Sequence, residues 1–238
     1  MNAFPKNVKI LSTERFIKGG SSSGPFENFN LAFHDKEELV NVKKNRLMLR
    51  SIYGLPSDPV WINQIHSSKC VNASLIKSNV DADASFTKDL GVVCAVLTAD
   101  CLPVFITTRD GLMVGVAHAG WRGLISGVIE NLINSFDRSG DDLVVHLGPA
   151  ISMRSLEVGE EIKDIYLSKN IAFVRSFSIH NNKHYLDLYD AAKIILERFK
   201  ISSISGGDRC TFKEANHFFS YRRDGINSGR MAHLIWMQ

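Results

Sequence analysis

The chain has 238 residues, 28 Lys+Arg against 25 Asp+Glu, a formal net charge of +3, 45% hydrophobic and 22% charged residues. This balance excludes a disordered chain, a collagen-like repeat and a coiled coil, and it supplies enough apolar material for a large core. A charge of +3 over this length is no footprint for nucleic acid, and the longest apolar runs fall far short of the ~20 residues of a membrane-spanning helix. The opening residues, MNAFPKNVKI, show no basic segment followed by an apolar one, so the cytoplasm is the expected compartment. Four cysteines, Cys70, Cys94, Cys101 and Cys210, have no CxxC spacing and predict no disulfide framework there.

Residues 19–24, GGSSSG, read as a surface loop. Residues 37–53 predict a helix, with Leu39, Val42, Leu49 and Ile52 at helical spacing and Gly54 and Pro56 as its stop. Residues 60–65 predict a strand that delivers His66 at its end. Residues 92–98 and 102–107 are short runs rich in β-branched residues, separated by Ala99-Asp100-Cys101, and 112–117 is a third, entered by Asp110-Gly111. After His118-Ala119-Gly120-Trp121-Arg122-Gly123 the period changes. Leu124, Ile125, Val128, Ile129, Leu132, Ile133 and Phe136 predict one amphipathic helix over 122–136. A strand over 143–147 and a helix over 159–167 follow, with Glu157, Glu160 and Glu161 read as the polar face of a helix start. Asp187 reads as the N-cap of a helix reaching Phe199. The tail reads as a strand over 218–221, a polar turn and an apolar run over 231–237. Interleaved helices and strands with some hairpin-length links predict a single α+β domain over 1–238, with mixed sheets flanked by helices.

His66, Cys101 and His118 stand at predicted strand ends, where distant segments converge on one rim of a sheet. Two imidazoles and a thiolate suit Zn²⁺, and three protein ligands leave a fourth position for water or substrate. A lone strand-end histidine is more often structural, so the set carries the expectation. The three ligand atoms should converge within roughly 4–5 Å of one another, with Cys70, Cys94 and Cys210 taking no part. A second signal is the HAGWRG turn, where a helix start and the Arg122 guanidinium can receive a phosphate or carboxylate. No GxGxxG or GxxxxGK[ST] loop is present. The third cluster, Phe218–Gly225, sets Tyr221 beside Arg222 and Arg223, which can stack a flat ring and hold an anion. Asp100 and Gln64 are placed to orient ligands or handle a proton. His34, His146, His180, His184, His217 and His233 have no evident partners, and Asn181-Asn182 makes 180–184 a loop.

The blocks QIHSS (64–68), LTADCLPV (97–104), VGVAHAGWRG (114–123), EVGEE (157–161), LDLYDAA (186–192) and FFSYRRDGINSGRMA (218–232) resemble the YfiH/laccase-domain family. That family was formerly described as multicopper polyphenol oxidases and is now described as purine nucleoside phosphorylases. The resemblance implies a layered α/β/β/α fold and a zinc held by the His of QxH, the Cys of TADC and the His of HAGW, which fall on His66, Cys101 and His118. It further implies phosphorolysis of adenosine, inosine and guanosine, cleavage of methylthioadenosine and some adenosine deamination. Nucleoside and phosphate are the implied partners, with Arg122, Arg222, Arg223, Asn30 and Tyr221 at the substrate. The sequence leaves the oligomeric state open.

This chain departs from the family where GPCIGPCCYEVG reads GPAISMRSLEVG, where CTYCN reads CTFKE, and in a looser N-terminal loop. None of the lost cysteines belongs to the trio, so zinc is unaffected and copper binding by those thiols is disfavoured. A multicopper oxidase needs on the order of ten histidine ligands, and this chain has 8. Other readings are a cysteine hydrolase with Cys101 as nucleophile and His118 as base, a zinc hydrolase editing cell-wall precursors, and a binding module without turnover.

Overall fold

The computed structural model describes residues 4–33, 36–77 and 79–238, and His34 lies outside them. Its strands are β1 (Val8–Ser12), β2 (Cys70–Asn72), β3 (Ala84–Thr87), β4 (Cys94–Thr98), β5 (Leu102–Thr108), β6 (Val114–Ala119), β7 (Leu143–Leu147), β8 (Glu157–Val158), β9 (Phe177–His180), β10 (Lys183–Leu186), β11 (Ile204–Gly206) and β12 (Met231–Met237). The helices are α1 (Leu39–Tyr53), α2 (Trp121–Ser126), α3 (Val128–Asn134), α4 (Glu160–Lys169), α5 (Leu188–Arg198) and α6 (Tyr221–Asp224). β5, β6 and β12 are buried along their whole lengths, so both faces of their sheets must be covered.

Two sheets meet that requirement by packing on each other. A six-stranded mixed sheet runs β11-β7-β5-β6-β3-β2, and a three-stranded antiparallel sheet runs β1-β12-β4. Their facing residues, Phe105, Val114 and Val116 from one and Val8, Cys94, Val96, Ile235 and Met237 from the other, form one apolar cluster. Strand alternation sends Val104, Ile106, Ala117 and Ala119 to the opposite face of the large sheet, where they meet Leu124, Ile129, Leu132, Ile195 and Tyr166 of α2–α5. The outer face of the small sheet, with Ala95, Leu234 and Trp236, packs on Leu49 and Met48 of α1. The order is therefore helix, sheet, sheet, helices, as the resemblance implies. Each fully buried Leu, Ile or Phe here contributes about 1.5–3 kcal/mol relative to exposure. A third sheet, β8-β10-β9, flanks these layers. Among the described residues no helix is long and apolar enough to cross a membrane.

Four local expectations are corrected. The helix expected over 122–136 is two helices, because Gly127 has φ +92° and both ends α2 and begins α3. Apolar periodicity continues across the break since both helices face the same sheet. Residues 60–65 form only isolated bridges, Val60 to Cys94 and Asn63 to Asp81. There the Gln64 amide replaces main-chain pairing, accepting from Leu97 N at 2.7 Å and donating to Leu97 O at 2.8 Å. Residues 218–221 are not a strand: Phe219 N contacts Met231 Sδ at 3.1 Å, and the Ser220 hydroxyl caps α6. Of the segment 180–184 only Asn181-Asn182 is a turn, since His180 ends β9 and Lys183 and His184 begin its hairpin partner β10. Asp187 caps α5 as expected, accepting from Tyr189 N and Asp190 N.

Candidate metal centre

β4 belongs to the small sheet and β5 to the large one, so Ala99-Asp100-Cys101 carries the chain from one layer to the other. Asp100 makes that turn at φ +92°, a left-handed conformation unusual for a residue with a side chain. Its carboxylate is held by the Thr211 hydroxyl at 2.6 Å, the Ser220 hydroxyl at 3.1 Å and the Arg222 main-chain N–H at 2.6 Å. Its carbonyl accepts from Ile151 N at 2.9 Å. These bonds hold the strained turn and fix where Cys101 points. His118 lies in β6, opposite Pro103 of β5, and is buried. His66 follows the 60–65 crossing at φ +59° and is exposed.

The residue that joins these segments is Asp83, fully buried just before β3. Its carboxylate lies 2.8 Å from His118 Nδ1 and accepts from the main-chain N–H groups of Ile65, His66 and Ser67 at 3.2, 3.0 and 2.6 Å, and from the Ser67 hydroxyl at 2.8 Å. The Asp83 carbonyl also accepts from His118 N at 2.7 Å. Burial pushes the carboxyl pKa up, but the His118 and Ser67 hydrogen bonds outweigh it and hold the pKa below the usual range. A carboxylate on one ring nitrogen of a histidine leaves the other, here Nε2, to ligate.

The ligand atoms of His66, Cys101 and His118 all lie within 4.8 Å of one another. The rings of His66 and His118 meet edge to face with centroids 4.8 Å apart. Burial opposes a charge on Cys101, yet the adjacent His118 charge and hydrogen bonds from both histidines lower its thiol pKa. Burial likewise opposes a charge on His118, and the thiolate together with Asp83 raises its pKa. Each of the two therefore favours the charged form of the other. A Cβ added to Gly120 would stand 2.8 Å from Cys101 Sγ and 3.4 Å from His66 Cδ2, so the bare glycine leaves room for the cluster. Two imidazoles, a thiolate, a carboxylate behind one imidazole and one exposed side fit a four-coordinate divalent metal with an open position. Among the described residues this is the one such group of His, Cys, Asp or Glu.

The other residues singled out from sequence have distinct surroundings. Arg122 is exposed and lies over the Trp121 ring at 4.2 Å. Arg222 is exposed, with Nη2 donating to Glu157 O at 3.0 Å. Arg223 commits all five N–H groups, to Asp224 and to the carbonyls of Thr211, Phe212 and Phe218. Asn30 is buried, accepting from Ala32 N at 3.0 Å and Arg230 N at 2.9 Å and donating to Ala32 O and Glu37 Oε2. Tyr221 is exposed, with the Arg230 guanidinium 5.6 Å from its ring centroid. Of the remaining histidines, His146 contacts Ser205, His217 contacts Glu14, and His233 contacts Thr98 and Ser12. Sequence reasoning missed Asp83 and Arg230. The signal for the first was an acid inside the small-residue run Ala82-Asp83-Ala84-Ser85.

A family model described as multi-copper polyphenol oxidoreductase laccase matches residues 9–238. The chain belongs to this family. Purine nucleoside phosphorylase YfiH of Escherichia coli K12 is 40% identical over 234 residues, covering 98% of this chain and 95% of that protein. Purine nucleoside phosphorylase PA4543 of Pseudomonas aeruginosa is 38% identical over 236 residues, covering 98% and 95%. The crystal structure of Neisseria meningitidis protein NMB0706 superposes with a TM-score of 0.93 at 42% identity, over 99% of this chain and 96% of that one. YlmD from Geobacillus stearothermophilus gives 0.87 at 26% identity, over 98% and 93%. YfiH/laccase-family membership and the mixed layered fold thus agree with the expectation from the quoted blocks.

Proposed function

We propose that this YfiH-family chain is a zinc-dependent purine nucleoside phosphorylase that cleaves adenosine, inosine, guanosine and methylthioadenosine, with adenosine deamination as a side activity. The observation that carries the reading is the His66–Cys101–His118 cluster with Asp83 behind it and one side exposed. The names of the 36–40% identical relatives support the reaction class. The donor set favours zinc over copper. Bound there, zinc would supply Lewis-acid polarisation of an oxygen or activation of water.

The chain's own residues perform the rest. Arg122, exposed over Trp121, offers donors to an incoming anion, and Tyr221 offers a ring face to a purine. Asp100 acts by position, since both carboxylate oxygens already accept hydrogen bonds. Gln64 acts similarly, tying the His66 segment to Leu97 through both ends of its amide. The deciding experiment is metal analysis of the purified protein together with base release from adenosine and inosine, with and without inorganic phosphate. The expected result is near-stoichiometric zinc and phosphate-dependent release with ribose 1-phosphate as co-product. Equal release without phosphate, yielding free ribose, would make it a hydrolase. Ammonia without base would make it a deaminase, and turnover of a cell-wall amide with neither would favour editing.

A further inference from the structure

A phosphorolytic site needs a cation with donors to spare for an oxyanion. The three arginines named from sequence are poorly equipped. Arg223 has no free N–H, Arg222 leans on main-chain carbonyls, and Arg122 stands in solvent. Arg230, immediately before β12, differs from all of them. It is half-buried, and no carboxylate pairs with it among the described residues. Its Nη1 donates to the carbonyls of Ser228 at 2.6 Å and Gly229 at 3.0 Å. Its Nε and Nη2 have no acceptor among the described residues, which leaves one edge of the fork open.

The backbone holds this residue firmly. Arg230 N donates to Asn30 Oδ1 at 2.9 Å, and Arg230 O accepts from Leu31 N at 3.2 Å. A Cβ on Gly229 would stand 2.7 Å from the Phe219 ring and 3.0 Å from Asn30, so the chain is wedged between those side chains. The guanidinium lies over Tyr221, whose neighbours Ser220 and Arg222 hold Asp100, the residue before Cys101. Burial lowers the Arg230 pKa, while Cys101 and Asp100 oppose that, in keeping with the place of the guanidinium over Tyr221 beside the segment that holds Asp100. A half-buried cation with no carboxylate in direct contact carries a desolvation cost that a bound anion offsets.

We propose that Arg230 is the principal anion-binding residue of this site, its Nε and Nη2 edge holding inorganic phosphate beside the His66–Cys101–His118 cluster with the Tyr221 ring as one wall. Asn30 serves this as a positioning residue. The inference rests on the phosphorolysis reading. Its test compares wild type with Arg230→Met, Arg230→Lys and Arg122→Ala, measuring inorganic phosphate binding by calorimetry and the phosphate KM for base release from inosine.

Loss of a charge-assisted fork should raise the phosphate Kd and KM by roughly 10- to 100-fold in Arg230→Met. The nucleoside KM should move much less, and Arg122→Ala should have the smaller effect. Arg230→Lys, keeping the charge without the fork, should recover part of the loss. Should Arg230→Met fail to fold, phosphate affinity of wild-type strength in Arg230→Lys overturns the proposal. A phosphate-dependent wild type with a folded, unimpaired Arg230→Met also overturns it and leaves the phosphorylase reading standing. A wild type that neither binds nor uses phosphate overturns both.

Discussion

Asp83 lies 2.8 Å from His118 Nδ1, and the same carboxylate accepts the main-chain N–H of His66 at 3.0 Å. One buried acid therefore sets the ring of one ligand and the backbone of another. Asp83→Asn keeps the shape but removes acceptor capacity for these donors. It should weaken metal affinity about 10- to 100-fold, read by competition with a chromophoric chelator. Affinity equal to wild type would show that the carboxylate does not organise the centre.

Thiol chemistry separates the four cysteines. In the metal-free protein His118 keeps the Cys101 thiol below its usual range, so the thiolate persists as pH falls and is lost only below the ordinary thiol midpoint. Burial pushes Cys94 up to about 12 and Cys70 up to about 11. Near neutral pH, iodoacetamide should therefore label Cys101 well before either of those, and added Zn²⁺ should protect it. His118→Gln should move the labelling midpoint upward. Peptide mass spectrometry across pH gives the answer, and an ordinary thiol profile at Cys101 would contradict the ion pair.

Gly120 faces the sulfur with nothing between. In Gly120→Ala the new methyl would sit 2.8 Å from Cys101 Sγ. The glycine φ of −72° is open to any residue, so backbone strain is not expected. Bound zinc per chain should fall sharply while far-UV circular dichroism stays native, and full occupancy in this variant would refute the packing argument.

Asp100 should matter to stability before it matters to turnover. Asp100→Ala strands two buried hydroxyls and the Arg222 N–H, costing about 2–4 kcal/mol in urea unfolding. Asp100→Asn retains one accepting oxygen and should lose about half as much. A variant as stable as wild type would mean that these bonds exchange freely with water.

The strands β5, β6, β7 and β12 were legible because continuous apolar runs of that length have few other solutions. The metal trio was legible because ligand chemistry stood beside turns. What escaped was carried by side chains acting on distant backbone. Asp83 has no spacing relation to His66 or His118, and Gln64 makes with an amide the bonds a strand makes with its main chain. At Gly127 helical periodicity spans two helices on one sheet, so pattern alone cannot locate the break. Phe218 and Phe219 are both buried, which read as a strand, although a thioether and a helix cap hold the segment.

β12 lies in the middle of its sheet, between β1 and β4. During synthesis those two partners, separated by more than eighty residues, have nothing to join them until the ribosome has passed Met237. Until then both present open edges, and the cluster between the two layers lacks Ile235 and Met237. Arg230 and the segment that holds Asp100 arrive with the same late stretch. The hold on Asp100 that fixes Cys101 and the backbone seat of Arg230 are therefore completed together, by the same closing segment of the chain.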